Sequence, residues 1–306
     1  MNLIVILGPT ASGKTRLAAL LAGDMQGEII SADSRQVYRG LDIGTGKDLN
    51  DYLVNEETVP YHLIDIVDPA CEYSVFDYQE NFRRCFADIT GRNHLPVMAG
   101  GTGLYLDAVL RGYRMVKVPE NADLRAELQG AKIEVLIRKL KDHNPMPHNT
   151  TDFQDRQRLI RAIEIADYSG RQVGTEESRL PVLNPLSPII IGLRWERSVL
   201  RRRITTRLAE RLAGGMIDEV RKLQEQGNCS WEKMHDLGLE YRYVALYLQG
   251  RLSYQEMFEQ LNIRIHQFAK RQETWFRRME KQGTLINWLN DPDYEKLQKL
   301  VKRLWV

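Results

Sequence analysis

The chain has 306 residues, 43% of them hydrophobic and 27% charged, with a formal net charge of +2. This is enough to bury a full core, as one large α/β domain or as a core carrying a smaller insert, and any polyanion-binding surface must come from local concentration of charge. No stretch approaches the roughly 18 apolar residues of a membrane span, no signal peptide opens the chain, and three scattered cysteines argue against disulfides or a zinc site, so the cytoplasm is the expected compartment.

Leu3 to Leu7 is a short continuous apolar run, the pattern of a strand buried on both faces. It leads into Gly8-Pro9-Thr10-Ala11-Ser12-Gly13-Lys14-Thr15, a glycine-rich P-loop, and then into a helix-forming stretch from Arg16 to Met25. Backbone N–H groups of such a loop, backed by a helix N-terminus, make a site for a phosphate or diphosphate. Lys14 is expected on the terminal phosphate, and the Thr15 hydroxyl is expected to help hold Mg²⁺.

Glu28 to Asp33 predicts a second buried strand that ends in a carboxylate. Ligands of open α/β sheets bind beyond the carboxyl ends of the strands, which puts Asp33 on the rim of the P-loop. The polar and basic Ser34 to Gly40 follows, then the glycine-rich Gly44 to Lys47. Tyr61 to Ile66 predicts a further strand, and Ser74 to Ile89 an amphipathic helix with Ser74 as N-cap. Leu95 to Ala99 predicts another strand, running through Gly100 to Gly103 into a helix from Leu104 to Leu110. Thr102 in that turn reads equally well as a helix cap and as a hydroxyl aimed at the crevice.

The middle changes character. From Arg114 to Leu186 there is no clear strand, and helical patterning covers Ala122 to Lys141 and Phe153 to Tyr168 with a basic face. The expected organisation is therefore a P-loop core over residues 1–114, a helical insertion over 115–186, and core completion with C-terminal helices over 187–306. Ser187 to Gly192 returns to a core strand. Arg194 to Arg211 carries seven arginines against two glutamates. Such runs are usually solvated helix faces, but Arg207 and Arg211, one turn apart, could enter the crevice together. The last long helix, Tyr254 to Gln282, predicts a buried stripe of Phe258, Leu261, Ile265, Phe268, Gln272, Trp275 and Met279. Arg264, Arg271 and Arg278 recur every seven residues on its outer side, beside Lys270 and Arg277. A cationic ridge next to aromatic rings suits a nucleic-acid backbone.

Read from residues alone, the P-loop and Asp33 fit a kinase or NTPase, and the basic segments fit an RNA-binding protein. Several ordered motifs go further: Gly8 to Thr15, Asp33-Ser-Arg-Gln-Val-Tyr-Arg-Gly40, Asp42-Ile-Gly-Thr45, His62-Leu-Ile-Asp-Ile66, Gly100-Gly-Thr-Gly-Leu-Tyr105, Gln157-Arg-Leu-Ile-Arg161 and Lys270-Arg-Gln-Glu-Thr-Trp-Phe-Arg277. In this order they resemble the tRNA dimethylallyltransferase (isopentenyltransferase) family over nearly the whole chain. The resemblance implies a P-loop NTPase-like α/β core with a helical tRNA-binding insertion. It also implies transfer of a dimethylallyl group from dimethylallyl diphosphate to N6 of the adenine next to the tRNA anticodon, with Mg²⁺ as cofactor and a monomer expected. Asp33 then matches the general base and Thr102 the reaction-centre threonine, with Lys14 and Arg207 on the diphosphate. The tRNA-contacting residues would be Asp33, Ser34, Arg35 and Gln36; Arg125; Gln157, Arg158, Leu159, Ile160 and Arg161; and Lys270, Arg271, Gln272, Thr274, Trp275 and Arg277. Departures from the family pattern fall at Leu237-Gly-Leu-Glu-Tyr-Arg242, at His266 and around Pro145 to Gln154. A relative acting on free adenine nucleotides is the nearest alternative, and it would not need the basic ridge.

Overall fold

The structure is a computed structural model that describes residues 1–113, 115, 117–143, 153, 156–171 and 186–305. The chain divides into two compact units, Met1–Tyr113 with Leu183–Val306, and Arg114–Val182.

The first unit opens with β1 (Leu3–Leu7), α1 (Lys14–Asp24) and β2 (Gly27–Ala32), continues through a 3-10 turn (Leu49–Tyr52) and a small hairpin of β3 (Leu53–Val54) and β4 (Glu57–Thr58), and reaches β5 (Tyr61–His62). Next come α2 (Val75–Gly91), β6 (Leu95–Gly100) and α3 (Gly103–Leu110). The second unit holds α4 (Ala122–Gln129), α5 (Ile133–His143) and α6 (Arg156–Arg171). The first unit resumes with β7 (Pro188–Arg194), α7 (Arg197–Ala213), α8 (Met216–Glu225), α9 (Trp231–Leu237), α10 (Leu239–Leu248), α11 (Tyr254–Lys281), β8 (Asn287–Asn290) and α12 (Tyr294–Leu304). Among the described residues no helix is long and apolar enough to cross a membrane.

Six strands form one parallel sheet in the order β5-β2-β6-β1-β7-β8. The apolar runs fill both faces, as parallel sheets covered by helices require. Ile4 and Ile6 of β1 pack with Leu17 and Leu21 of α1 and with Leu297 and Val301 of α12, while Leu3, Val5 and Leu7 pack with Tyr78 and Phe82 of α2 and Phe276 of α11. A third cluster joins α7 through α11 to Val37, Tyr38 and Leu41. The second unit has its own small core of Leu128, Leu136, Leu140, Leu159, Ile160 and Ile163.

The register sets the site. Leu7 pairs with both Gly100 and Gly192, and Ala32 pairs with Gly100. Three central strands therefore end level, and the P-loop, Asp33 and Thr102 leave them side by side. Gly100 is required there, because a Cβ would sit 2.2 Å from the Ala32 carbonyl oxygen.

Three expected elements differ. The strand at Tyr61 stops after His62, because Leu63 and Asp65 have φ of 63° and 55° and Asp65 pairs with buried Lys47. The stretch from Ala122 to Lys141 is two helices, with Gly130 closing the first. The buried stripe of α11 is Met257, Leu261, Ile265, Ala269, Gln272, Phe276 and Met279, with Phe258, Phe268 and Trp275 only half-buried.

At the opposite end of the sheet, Glu28 is buried at 1% exposure and accepts from Arg92 on both oxygens, from His62 (2.7 Å) and from His94 (2.5 Å). Burial alone would raise its carboxyl, but these partners prevail and hold it at about 2. A depressed carboxyl adds stability above its ordinary value that is lost as pH falls through the folded one. Glu28→Gln is therefore expected to cost about 1–3 kcal/mol at neutral pH. The gap between wild-type and variant melting temperatures should close as pH falls from 4.5 toward 2. A gap that stays constant across that window would rule out the ionic role.

Candidate active site

The P-loop is built from backbone that few sequences tolerate. Ala11 and Gly13 both adopt left-handed conformations, with φ of 62° and 83°, and Gly13 delivers the chain into α1. A non-glycine residue in that region is strained, and side chains from distant elements hold it there. Trp195 Nε1 donates to the Ser12 carbonyl (3.0 Å), and Arg203 Nε donates to the Ala11 carbonyl (2.9 Å) while its guanidinium stacks 4.6 Å from the Trp195 ring. Arg207 donates to the Thr10 hydroxyl. Gln272 accepts from the Thr10 N–H (2.8 Å). Four side chains thus fasten three consecutive loop residues.

The loop borders a cavity of about 510 Å³ lined by Thr10, Ala11, Gly13, Lys14, Thr15, Asp33, Gln36 and Arg207, among others. Its cations are Lys14, Arg16, Arg202, Arg203 and Arg207, and its acids are Asp33, Asp48, Asp51 and Glu210. Lys14 Nζ lies 3.5 Å from the Pro9 carbonyl. Its pKa is lowered to about 8, by burial above all, with Asp33 opposing the fall and Arg207 and Arg211 adding to it. Arg207 is lowered to about 10, chiefly by burial and then by Arg211. Crowded cations of this kind mark a seat for a multiply charged anion.

Asp33 sits just past β2, with Oδ1 accepting from the Arg35 N–H (2.8 Å) and the Gln36 N–H (3.4 Å). The Thr102 hydroxyl does not cap α3. It accepts from the Ser34 N–H (3.0 Å) and approaches the Ser34 hydroxyl (3.4 Å), Ser34 being the residue next to Asp33. Arg211 does not enter with Arg207. It pairs with Asp48 (3.3 Å) and lies so close over Gly46 that a Cβ there would be 1.9 Å from its guanidinium.

Several residues expected on RNA are committed elsewhere. Leu159 and Ile160 are buried at 0% and 1% exposure in the core of the second unit. Arg125 makes a two-pronged pair with buried Glu164 (3.2 and 3.1 Å) and a contact to Glu120 (3.1 Å), and Arg161 bonds the same Glu164 and the Val118 carbonyl. Gln36 is buried and donates to the Gly46 carbonyl (2.9 Å), and Arg35 reaches the Asp236 carbonyl (3.4 Å). Gln272 is 7% exposed. Trp275 is half-buried against Gly103, where a Cβ would meet its ring at 2.3 Å. Arg264 bonds the Tyr243 hydroxyl (3.0 Å), and half-buried Arg278 lies 5.4 Å from the Trp275 ring. Exposed on the ridge are Arg264, Lys270, Arg271, Thr274 and Arg277, and Gln157 and Arg158 are exposed on α6.

Sequence reading missed Trp195, Arg203 and Arg16, although both arginines stand in recognisably basic context. Of the departures, Leu239 adopts φ of 42° after Gly238 at φ 73° and ψ −171°, and His266 Nε2 lies 3.3 Å from the Thr205 hydroxyl, which itself donates to Asn262 Oδ1 (3.0 Å). Among the residues around Pro145 to Gln154 only Phe153 is described.

Comparison with known proteins meets this geometry from an independent side, because the matching family model, IPP transferase, covers residues 36–279 and starts beyond the P-loop. The chain belongs to the IPP transferase family. A curated relative, tRNA dimethylallyltransferase 1 of Syntrophus aciditrophicus, is 58% identical over 98% of this chain and 97% of its own. The crystal structure of the full-length tRNA isopentenylpyrophosphate transferase of Bacillus halodurans is 32% identical, with a TM-score of 0.68 over 99% of this chain and 95% of that one. The corresponding enzyme of Staphylococcus epidermidis is 30% identical, with a TM-score of 0.67 over 99% and 98%.

For this IPP transferase, inorganic diphosphate is expected to bind less tightly as pH rises through about 8, where Lys14 loses its proton. A raised pH costs the site one cation, whereas Lys14→Arg remains charged throughout. Calorimetric titrations of both proteins across that range check this. A wild-type to variant affinity ratio that does not move with pH would contradict the role of Lys14.

Proposed function

We propose that this IPP transferase moves a dimethylallyl group from dimethylallyl diphosphate to N6 of the adenine next to the anticodon of a tRNA, releasing diphosphate. The observation that carries the reading is the level ending of β1, β2 and β6, from which an anion-binding loop, a carboxylate and the Thr102 turn leave the same rim of the sheet. The names of the close relatives point the same way.

The chemistry follows from the residues. The N6 nitrogen attacks the allylic carbon, the bond from that carbon to the bridging diphosphate oxygen breaks, and the N6 proton passes to the Asp33 carboxylate. Both backbone bonds to Asp33 fall on Oδ1, so Oδ2 is the oxygen suited to take the proton. Thr102, held by the Ser34 N–H, can orient the incoming amine. Lys14, Arg207 and the first-turn N–H groups of α1 receive the negative charge that develops on the leaving diphosphate. No phosphoryl group moves.

Mg²⁺ fits this donor set. Among the described residues no group of three His, Cys, Asp or Glu side chains could cage a metal. Mg²⁺ bound to phosphates commonly takes only one or two protein ligands. The Thr15 hydroxyl would hold it against the diphosphate, and its contribution when bound is to neutralise the leaving group.

A base stacked in a loop must be turned out to reach Asp33, at a cost of about a few kcal/mol. Exposed cations on α11, Arg264, Lys270, Arg271 and Arg277, and Arg158 on α6, would offset it through contact with the RNA backbone.

Incubation with dimethylallyl diphosphate, Mg²⁺ and unmodified tRNA is expected to raise the tRNA mass by one dimethylallyl group. An unchanged mass would end the proposal. Asp33→Ala is expected to bind tRNA normally while kcat falls about 10²–10⁴-fold. Lys270→Ala with Arg277→Ala should flatten the salt dependence of tRNA binding, each removed phosphate contact lowering the log–log slope by about 0.9. An unaltered slope would take α11 out of the RNA surface.

A further inference from the structure

Gln272 lies inside a motif whose neighbours face solvent, yet its own side chain points the other way. Lys270 and Arg271 are exposed, whereas Gln272 is 7% exposed and both ends of its amide are used. Its Oε1 accepts from the Thr10 N–H at 2.8 Å, and its Nε2 donates to the Gly101 carbonyl at 2.9 Å. The amide therefore bridges the P-loop to the glycine turn that carries Thr102. The fit is tight on the turn side, since a Cβ on Gly101 would sit 2.3 Å from Nε2 and 3.0 Å from the Gly8 carbonyl.

The two partners cannot be matched by another polar residue type of this length. Thr10 presents a donor and Gly101 an acceptor, and a primary amide offers one of each. A carboxylate would meet the Gly101 carbonyl with like charge, and an apolar chain would leave both backbone groups buried without partners. Thr10 is also the residue whose hydroxyl receives Arg207. Fixing its N–H fixes where Arg207 is held, and fixing Gly101 fixes the approach of Thr102 to Ser34.

We propose that Gln272 is a positioning residue for the donor site: it sets the spacing between the diphosphate loop and the Thr102 turn, and it does not contact RNA. This rests on the reading of the P-loop as a diphosphate seat.

The test uses two variants that attack the bridge from opposite sides, with inorganic diphosphate as probe in calorimetry and unmodified tRNA in filter binding. Gln272→Met removes both bonds, and Gly101→Ala pushes the amide out while leaving Gln272 intact. Each is expected to weaken diphosphate binding about tenfold, the scale of one or two buried hydrogen bonds, with tRNA affinity unchanged. In turnover, KM for the donor should rise while KM for tRNA stays put. The double variant should be no worse than either single one, because both remove the same bridge. Losses that multiply in the double variant would overturn the proposal, as would weakened tRNA binding with normal diphosphate binding, which would make Gln272 an RNA contact. Should Gln272→Met fail to fold, Gly101→Ala alone decides through the same split between diphosphate and tRNA. Wild-type protein that binds no diphosphate would defeat the donor-site reading and this one together, whereas normal binding that neither variant disturbs would defeat only the positioning role.

Discussion

The site depends on a close approach between backbones. Gly100 lies so near Ala32 that no side chain fits between them, and Leu7, Ala32 and Gly100 therefore share one level across three strands. Parallel strands all point their carboxyl ends the same way, so whatever follows each strand is delivered to one rim. Here those followers are the P-loop, Asp33 and the Thr102 turn. A one-residue slip of β6 against β2 would move Thr102 along the strand by about 3.3 Å and break its bond to Ser34.

Several arginines that look available in the sequence are structural at the site or in the second unit. Arg203 and Arg207 hold the loop from α7, Arg211 closes on Asp48, and Arg125 and Arg161 share Glu164. The loop is consequently held in its left-handed conformations by cations that also create the potential to attract an anion. Burial is the main cause of the depressed pKa values of Lys14 and Arg207, and like charge adds to it, from Arg207 and Arg211 on Lys14 and from Arg211 on Arg207. What remains exposed on α11 and α6 is a smaller set, and it is the set within reach of a polyanion in solvent.

Much of this was legible from sequence because continuous apolar runs and a loop motif are local signals. β1 and β7 follow from their runs of Val, Ile and Leu, β2 and β6 from short apolar segments ahead of Asp33 and a glycine turn, and the P-loop from its glycine spacing. The parts that were not legible depend on partners far away in the chain. Thr102 was ambiguous because its deciding partner, Ser34, is 68 residues distant, and Gln272 meets Thr10 across 262 residues. Arg125 and Arg161 looked available because Glu164, which takes both, gives no local sign of being buried. On α11, ring size was mistaken for depth. Small Ala269 is buried and Trp275 only half so, because the helix is covered by α7 and α10 along one part and by the sheet layer along another.

The sheet's two edges carry a consequence of their own. β5 is two residues long and is followed at once by left-handed Leu63 and Asp65, while β8 is four residues long and is followed by Asp291 at φ 43°. Neither border offers a long flat row of unpaired N–H and C=O groups to another chain. The long apolar strands, which would be the most hazardous if uncovered, are all interior. The geometry that gathers the reactive groups at the middle of the sheet thus also shields its stickiest strands from aggregation.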